Sequence, residues 1–215
     1  MAVDRRRILA GVVVPDTEIV RKALKYAEKI YEPYLFNHVM RSWLFAASLA
    51  KIQNVDHDEE VVALGTLLHD VTLNPSFRGP RRFEVEGADI ARRFAWDSGV
   101  VGQRAQLVWD SVALNSTPSI GLYKEPEVAL CTGGICLDVV GLQYSRLAVL
   151  EMKAIVEAFP RLGLKKKMTS CFCHMVENAP ETTYDNFLCD FGYRYVPGYE
   201  APSSVDFVMN APFDS

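Results

Sequence analysis

LFNHVMRSWLFAASLAKI, residues 35–52, is the stretch that decides the fold. Leu35, Phe36, Val39, Met40, Trp43, Leu44, Ala46, Ala47, Leu49 and Ala50 recur at helical spacing and leave almost no polar face. A helix that is apolar nearly all round has to be wrapped by others, so this one is predicted inside a bundle. Its polar residues, Asn37, His38 and Arg41, then need partners. An unpaired polar group in an apolar interior costs on the order of a few kcal/mol.

Working outward, Ile19, Val20, Ala23, Leu24, Ala27, Ile30 and Tyr31 predict a helix after Pro15, capped by Asp16 or Thr17 and closed before Pro33. Downstream, a helix is expected over 58–70, ending in Leu67-Leu68-His69-Asp70. Residues 71–83, with two prolines, Gly79 and the Arg81-Arg82 pair, read as a loop. Helices follow over 84–95, with Gly99 as terminator, and over 101–114. After a polar loop at 115–126, Pro126 opens another helix. Gly133 and Gly134 in that helix signal close packing or a kink. Helices over 146–158 and 164–177 and a short one around 184–189 precede a tail rich in aromatics, proline and glycine. No strand-length alternation, repeat or low-complexity stretch stands out. The expectation is all-α: one helical bundle over 16–215 with an aromatic-rich C-terminal tail, after an N-terminal extension at 1–15.

The composition agrees with one domain. The 215 residues are 49% apolar, enough for a sizeable core. A net charge of −4 speaks against nucleic acid as a partner, and the short run Arg5-Arg6-Arg7 reads as solvated. Nothing approaches the roughly 20 apolar residues that span a bilayer. The apolar run Ile8–Val14 is too short for a signal peptide, carries Gly11 and stops at Pro15. Five scattered cysteines (131, 136, 171, 173 and 189) read as free thiols in a reducing compartment, so a cytoplasmic protein with nuclear access is expected. Cys171-Phe172-Cys173-His174 lacks a second ligand pair at zinc-finger spacing and is expected to be buried helix surface. Trp43, Trp96 and Trp109 are expected in the core.

Four residues point to chemistry. His38 lies on the buried helix. His69 and Asp70 are neighbours, which point about 100° apart on a helix and share a metal only where the helix loosens. Asp138 sits among Ile135, Leu137, Val139 and Val140 and would need a metal, an arginine or solvent as partner. Two imidazoles and two carboxylates suit zinc best and also accept Fe²⁺ or Mn²⁺, and a metal lowers the pKa of its water towards ~7.

The order His…His-Asp…Asp resembles the HD superfamily pattern. The likeness extends to the cyanamide hydratase family of HD-domain proteins. It is carried by VPDTEIV (14–20), YLFNHVMRSWLFA (34–46), LLHD (67–70), RFEVEGADIARRF (82–94), LDVVG (137–141), PETTYDNF (180–187) and FGYRYVPGY (191–199). The resemblance implies an HD helical bundle with His38, His69, Asp70 and Asp138 on the metal. It implies hydroxide, formed from water at that metal, attacking the C≡N carbon of cyanamide or a related small nitrile-like compound. Cyanamide would give urea. Asp70, Glu84, Asn115 and Thr117 are the candidates for the catalytic proton, although Glu84 also suits the first turn of its helix. Family members commonly carry histidine where this chain has Asn115, which keeps hydrogen bonding but not proton transfer. Asn37 could orient a ligand or satisfy a backbone group. Arg41 could pair Asp138, and Tyr184, Asp185 and Asn186 could wall the pocket unless Thr182 or Thr183 caps a helix there.

Three rivals stay open. An HD phosphohydrolase would use Arg78, Arg81 and Arg82 for phosphate. A di-iron oxygenase would need histidines between Asp70 and Asp138, and His57 lies before His69. A non-catalytic ligand-binding HD module is favoured by Asn115. The expected partner is a small-molecule substrate, with neither nucleic acid nor membrane, and the aromatic tail suggests a homo-oligomer.

Overall fold

In the computed structural model, which describes residues 5–73 and 79–213, the chain enters the bundle through a hairpin. Strand β1 (Arg6–Leu9) pairs antiparallel with β2 (Val12–Pro15), Leu9 lying opposite Val12. The connecting residues Ala10 and Gly11 both have positive φ, 50° and 84°, the twist that a two-residue hairpin turn requires. This corrects the expectation of no strand. Four-residue strands are too short for alternation to register in a sequence, yet Val12 and Val14 are both buried in the core.

The helices α1 (Glu18–Ile30) and α2 (Pro33–Gln53) follow, the latter with proline in its first turn, where the missing N–H costs nothing. Helix α3 (Glu59–Leu67) starts at Asp58, whose carboxylate accepts from the Glu60 and Val61 amides. Next come α4 (Phe83–Asp97), α5 (Gly102–Ala113), the short α6 (Pro118–Gly121) and α7 (Pro126–Val140). The loop expected over 115–126 therefore holds one turn of helix. The series closes with α8 (Val149–Ala158), α9 (Leu164–Asn178), α10 (Leu188–Tyr195) and α11 (Ser204–Met209). The short helix expected near 184–189 thus begins later and runs longer. Among the described residues, no helix is long and apolar enough to cross a membrane.

Helix α2 is the axis of this all-α single domain, as its sequence demands. Fourteen of its 21 residues are buried, Arg41 and His38 among them. Its principal neighbour is α7, and the glycines of α7 mark close packing rather than a kink. A Cβ on Gly134 would meet the Ser42 carbonyl oxygen and lie 2.7 Å from the Ala46 amide nitrogen. Only glycine lets the two backbones approach this closely, and the approach brings Asp138, one turn further along α7, up to His38 and Arg41.

Trp43 is in the core, but Trp96 is 46% exposed, against expectation, and Trp109 is half-buried. The Arg92 guanidinium stacks over both rings and shields one side of each without a core. Cys171 and Cys173 are half-buried on α9 rather than buried, while Cys131 and Cys136 are buried.

Candidate metal centre

Helix α3 stops three residues before the expected end. Leu68 is its cap residue, so His69 and Asp70 stand in the turn beyond the last helical residue. That turn is held by Val71 N–H on the Leu68 carbonyl and Leu73 N–H on the Asp70 carbonyl. Freed from helical spacing, both side chains reach His38 on α2. The two histidine Nε2 atoms lie 3.0 Å apart, and Asp70 Oδ2 is 3.2 Å from His69 Nε2 and 3.5 Å from His38 Nε2. All three residues are buried.

The far side of each imidazole settles its tautomer. His69 Nδ1 lies 2.8 Å from the Thr66 carbonyl, and His38 Nδ1 lies 2.7 Å from Asp138 Oδ2. Both oxygens only accept, so both Nδ1 atoms donate and both Nε2 atoms carry lone pairs. Two lone pairs face each other beside a carboxylate oxygen, and buried Asp70 Oδ2 has no hydrogen-bond partner among the described residues. This arrangement suits a cation at its centre. The surrounding carboxylate also favours positive charge there. Burial would push the His69 pKa down, but the neighbouring Asp70 carboxylate outweighs it and raises it. Burial would likewise raise Asp70, yet His69 and His38 hold it below its ordinary value. The residues therefore fit a divalent metal. Two nitrogens and one oxygen from the protein would leave positions open for water or substrate.

Asp138 was expected in this set, but the structure puts it on the other side of the His38 ring. Arg41 forks onto it, Nε donating to Oδ1 and Nη2 to Oδ2, each at 2.7 Å. Arg161 Nη1 donates to Oδ1 and to the Asp138 carbonyl, both at 2.9 Å. With His38 Nδ1, these bonds fill the four lone-pair sites of the carboxylate. Burial alone would raise the Asp138 pKa; Arg41 and His38 hold it far below the usual carboxylate range. Fully buried Arg41 also donates to the Phe159 carbonyl at 2.8 Å. Asn37 turns away to the Pro160 carbonyl at 2.7 Å, the backbone role among its two readings.

A cavity of about 250 Å³ opens on His38, His69 and Asp70. Asn115 and Ser116 add polar atoms, and the rest is Phe83, Pro118, Ile135, Cys136, Val139, Val140, Met168, Phe172, Phe187 and Phe191. Asn115 Nδ2 donates to the Val112 carbonyl at the end of α5, 2.6 Å away. Glu84 is fully buried but does not line the cavity. It accepts from Ser116 Oγ at 2.6 Å and from Arg82 at 3.0 Å. Thr117 begins α6 and lines no part of the cavity. Burial pushes the Cys136 thiol up to about 11, so it stays protonated.

The tail delivers different wall residues from those expected. Tyr184 packs near Tyr199, Asp185 is exposed, and Asn186 accepts from the Leu188 amide at the start of α10. Phe187 and Phe191 face the cavity instead, one helical turn apart. Arg161, Ser116 and these phenylalanines escaped the sequence reading. The four-residue spacing of Phe187 and Phe191 was the one signal available.

Of the arginines expected to hold phosphate, Arg81 is exposed and paired with Glu86 and Asp89. Arg82 is paired with Glu84. Arg78 lies outside the described residues.

Residues 35–140 match the HD domain family, a span from α2 to the end of α7 that holds His38, His69, Asp70 and Asp138. No curated protein matches the chain. HD domains are typically metal-dependent hydrolases, phosphohydrolases among them, and the His-His-Asp cluster agrees with that class.

Proposed function

With an HD domain at residues 35–140 as premise, we propose that the protein is a metal-dependent hydratase adding water across the C≡N bond of cyanamide or a related nitrile-like compound. One observation carries this reading: the cavity on the His-His-Asp cluster has no lysine or arginine among its described lining residues. A phosphoester needs cations around its oxygens, whereas a C≡N group is neutral. Arg41 and Arg161 lie near but are spent on Asp138.

A divalent ion held by His38, His69 and Asp70 would supply Lewis-acid polarisation and water of lowered pKa. The protein's part is orientation and proton movement. Asp138 and the Thr66 carbonyl fix the two imidazoles from behind, and Arg41 and Arg161 fix Asp138. Because Ser116 Oγ donates to Glu84, it keeps lone pairs with which to accept. Ser116 can take the proton that leaves the attacking water while its own passes to Glu84. The reverse transfer then brings one proton to the substrate nitrogen, so water is added with no net proton change.

The test is metal analysis together with urea production from cyanamide, for wild type beside His69→Ala. Near-stoichiometric metal with urea from wild type only is expected. Metal without urea, together with cleavage of a phosphodiester such as bis-p-nitrophenyl phosphate, would replace the reading with the HD phosphohydrolase.

A further inference from the structure

The cavity is far larger than cyanamide. Three heavy atoms fill roughly two waters' worth of space, about 60 Å³ at ~30 Å³ per water. That leaves most of the 250 Å³ empty. The surplus is apolar. Its polar lining is His38, His69, Asp70, Asn115 and Ser116, and most of the apolar remainder comes from α7, α9 and α10.

Four phenylalanines build much of that wall and hold one another edge to face. Phe172 lies 5.1 Å from Phe187 and 5.0 Å from Phe191 between ring centroids, with planes at 84° and 71°. Phe83 meets Phe187 at 6.1 Å and 78°. T-shaped packing fixes ring orientation, so the wall is a preformed surface rather than a floppy one. Phe83 and Phe172 are buried, while Phe187 and Phe191 are half-buried. Met168, Phe172, Phe187 and Phe191 all follow residue 140 and lie outside the matched HD span. A dry apolar cavity of about 150 Å³ already holds benzene.

We infer that the physiological substrate carries an apolar group of aromatic-ring size next to its reacting C≡N end, and that α9 and α10 form the subsite selecting it. The reacting end rests on the hydratase reading, whereas the apolar end rests on the cavity alone. The probes are cyanamide and phenylcyanamide, added to the metal-loaded protein in isothermal titration calorimetry, with hydration products followed separately. Phenylcyanamide is expected to bind at least tenfold tighter than cyanamide. Filling the cavity with Met168→Trp is expected to remove that preference. So is Phe172→Ala, which strips the wall and serves as the check should Met168→Trp fail to fold. Equal affinities of the two probes, or a preference untouched in a folded variant of either kind, would overturn the inference even if cyanamide is hydrated. Tight phenylcyanamide binding with no phenylurea formed would leave the subsite standing and sink the hydratase reading.

Discussion

Replacing Asp138 by asparagine separates two roles that this carboxylate could play. The side chain keeps its shape, so what changes is charge. Arg41 is fully buried and spends two of its donors on Asp138, while a third stays on the Phe159 carbonyl. Breaking a buried pair from one side costs about 3–5 kcal/mol. Arg161 is about a third exposed and can turn to water, and Arg41 keeps its carbonyl, so the low end, about 3 kcal/mol, applies. At about 2–4 °C per kcal/mol for a domain of this size, the metal-free melting temperature should fall by about 6–12 °C. The amide also has a donor of its own. Turned towards His38 Nδ1, it would move the ring proton to Nε2 and spoil the ligand atom. An orienting carboxylate lost in this way weakens metal affinity by about 10–100-fold, measured by competition with a chromogenic chelator. A melting temperature within 2 °C of wild type would refute the ion-pair account. Unchanged metal affinity would refute the orienting role, and complete loss of metal in a folded variant would mean that Asp138 binds the ion directly.

Glu84→Gln should lower kcat by about 10²-fold or more with metal content unchanged, since general acid–base groups contribute factors of that order; an unaltered kcat removes the Ser116–Glu84 relay. Gly134→Ala should cost about 1–3 kcal/mol in urea unfolding, because its Cβ would drive α7 off the backbone of α2; an unshifted midpoint would show that the helices can part freely. Asp58 caps α3 and pairs with Arg104 at the surface. Burial works to raise its pKa, but the Arg104 bonds and the Val61 and Glu60 amides prevail and lower it. Its stabilisation is therefore present above the unfolded carboxylate pKa of about 3.9 and is lost as pH falls through the lower folded value. Asp58→Ala should thus cost about 0.5–2 kcal/mol at pH 7 and progressively less in acid, and a pH-independent difference between the melting curves would contradict this.

Much of the fold was legible because helical periodicity is a local property. Apart from the single turn at 118–121, the helices of residues 16–178 fall within a few positions of their expected places, and the apolar residues at 35–50 form the axis that the pattern implied. The hairpin at 6–15 was not legible, because four residues cannot display alternation strongly enough to be told from a loop. Trp96 was misplaced for a related reason: spacing says which face a residue occupies, not whether an arginine covers that face. At the site, His38, His69 and Asp70 could be picked out by type and order, and all three converge. Thr117 and Ser116 are adjacent with similar side chains, and only the path of the chain between α5 and α6 decides that Ser116 lines the cavity.

What the sequence determined by itself is the helical class and the residue types able to hold a cation, since both depend on neighbours a few positions apart. The tertiary structure alone decided that Asp138 lies behind His38 under two arginines, because that contact joins residues 97 and 100 positions apart and exists only through the glycine-lined approach of α7 to α2. It also decided that rings from α4, α9 and α10 meet over the cluster. Apolar side chains carry no directional code for their partners, so which of many phenylalanines share a wall is settled by how the helices pack.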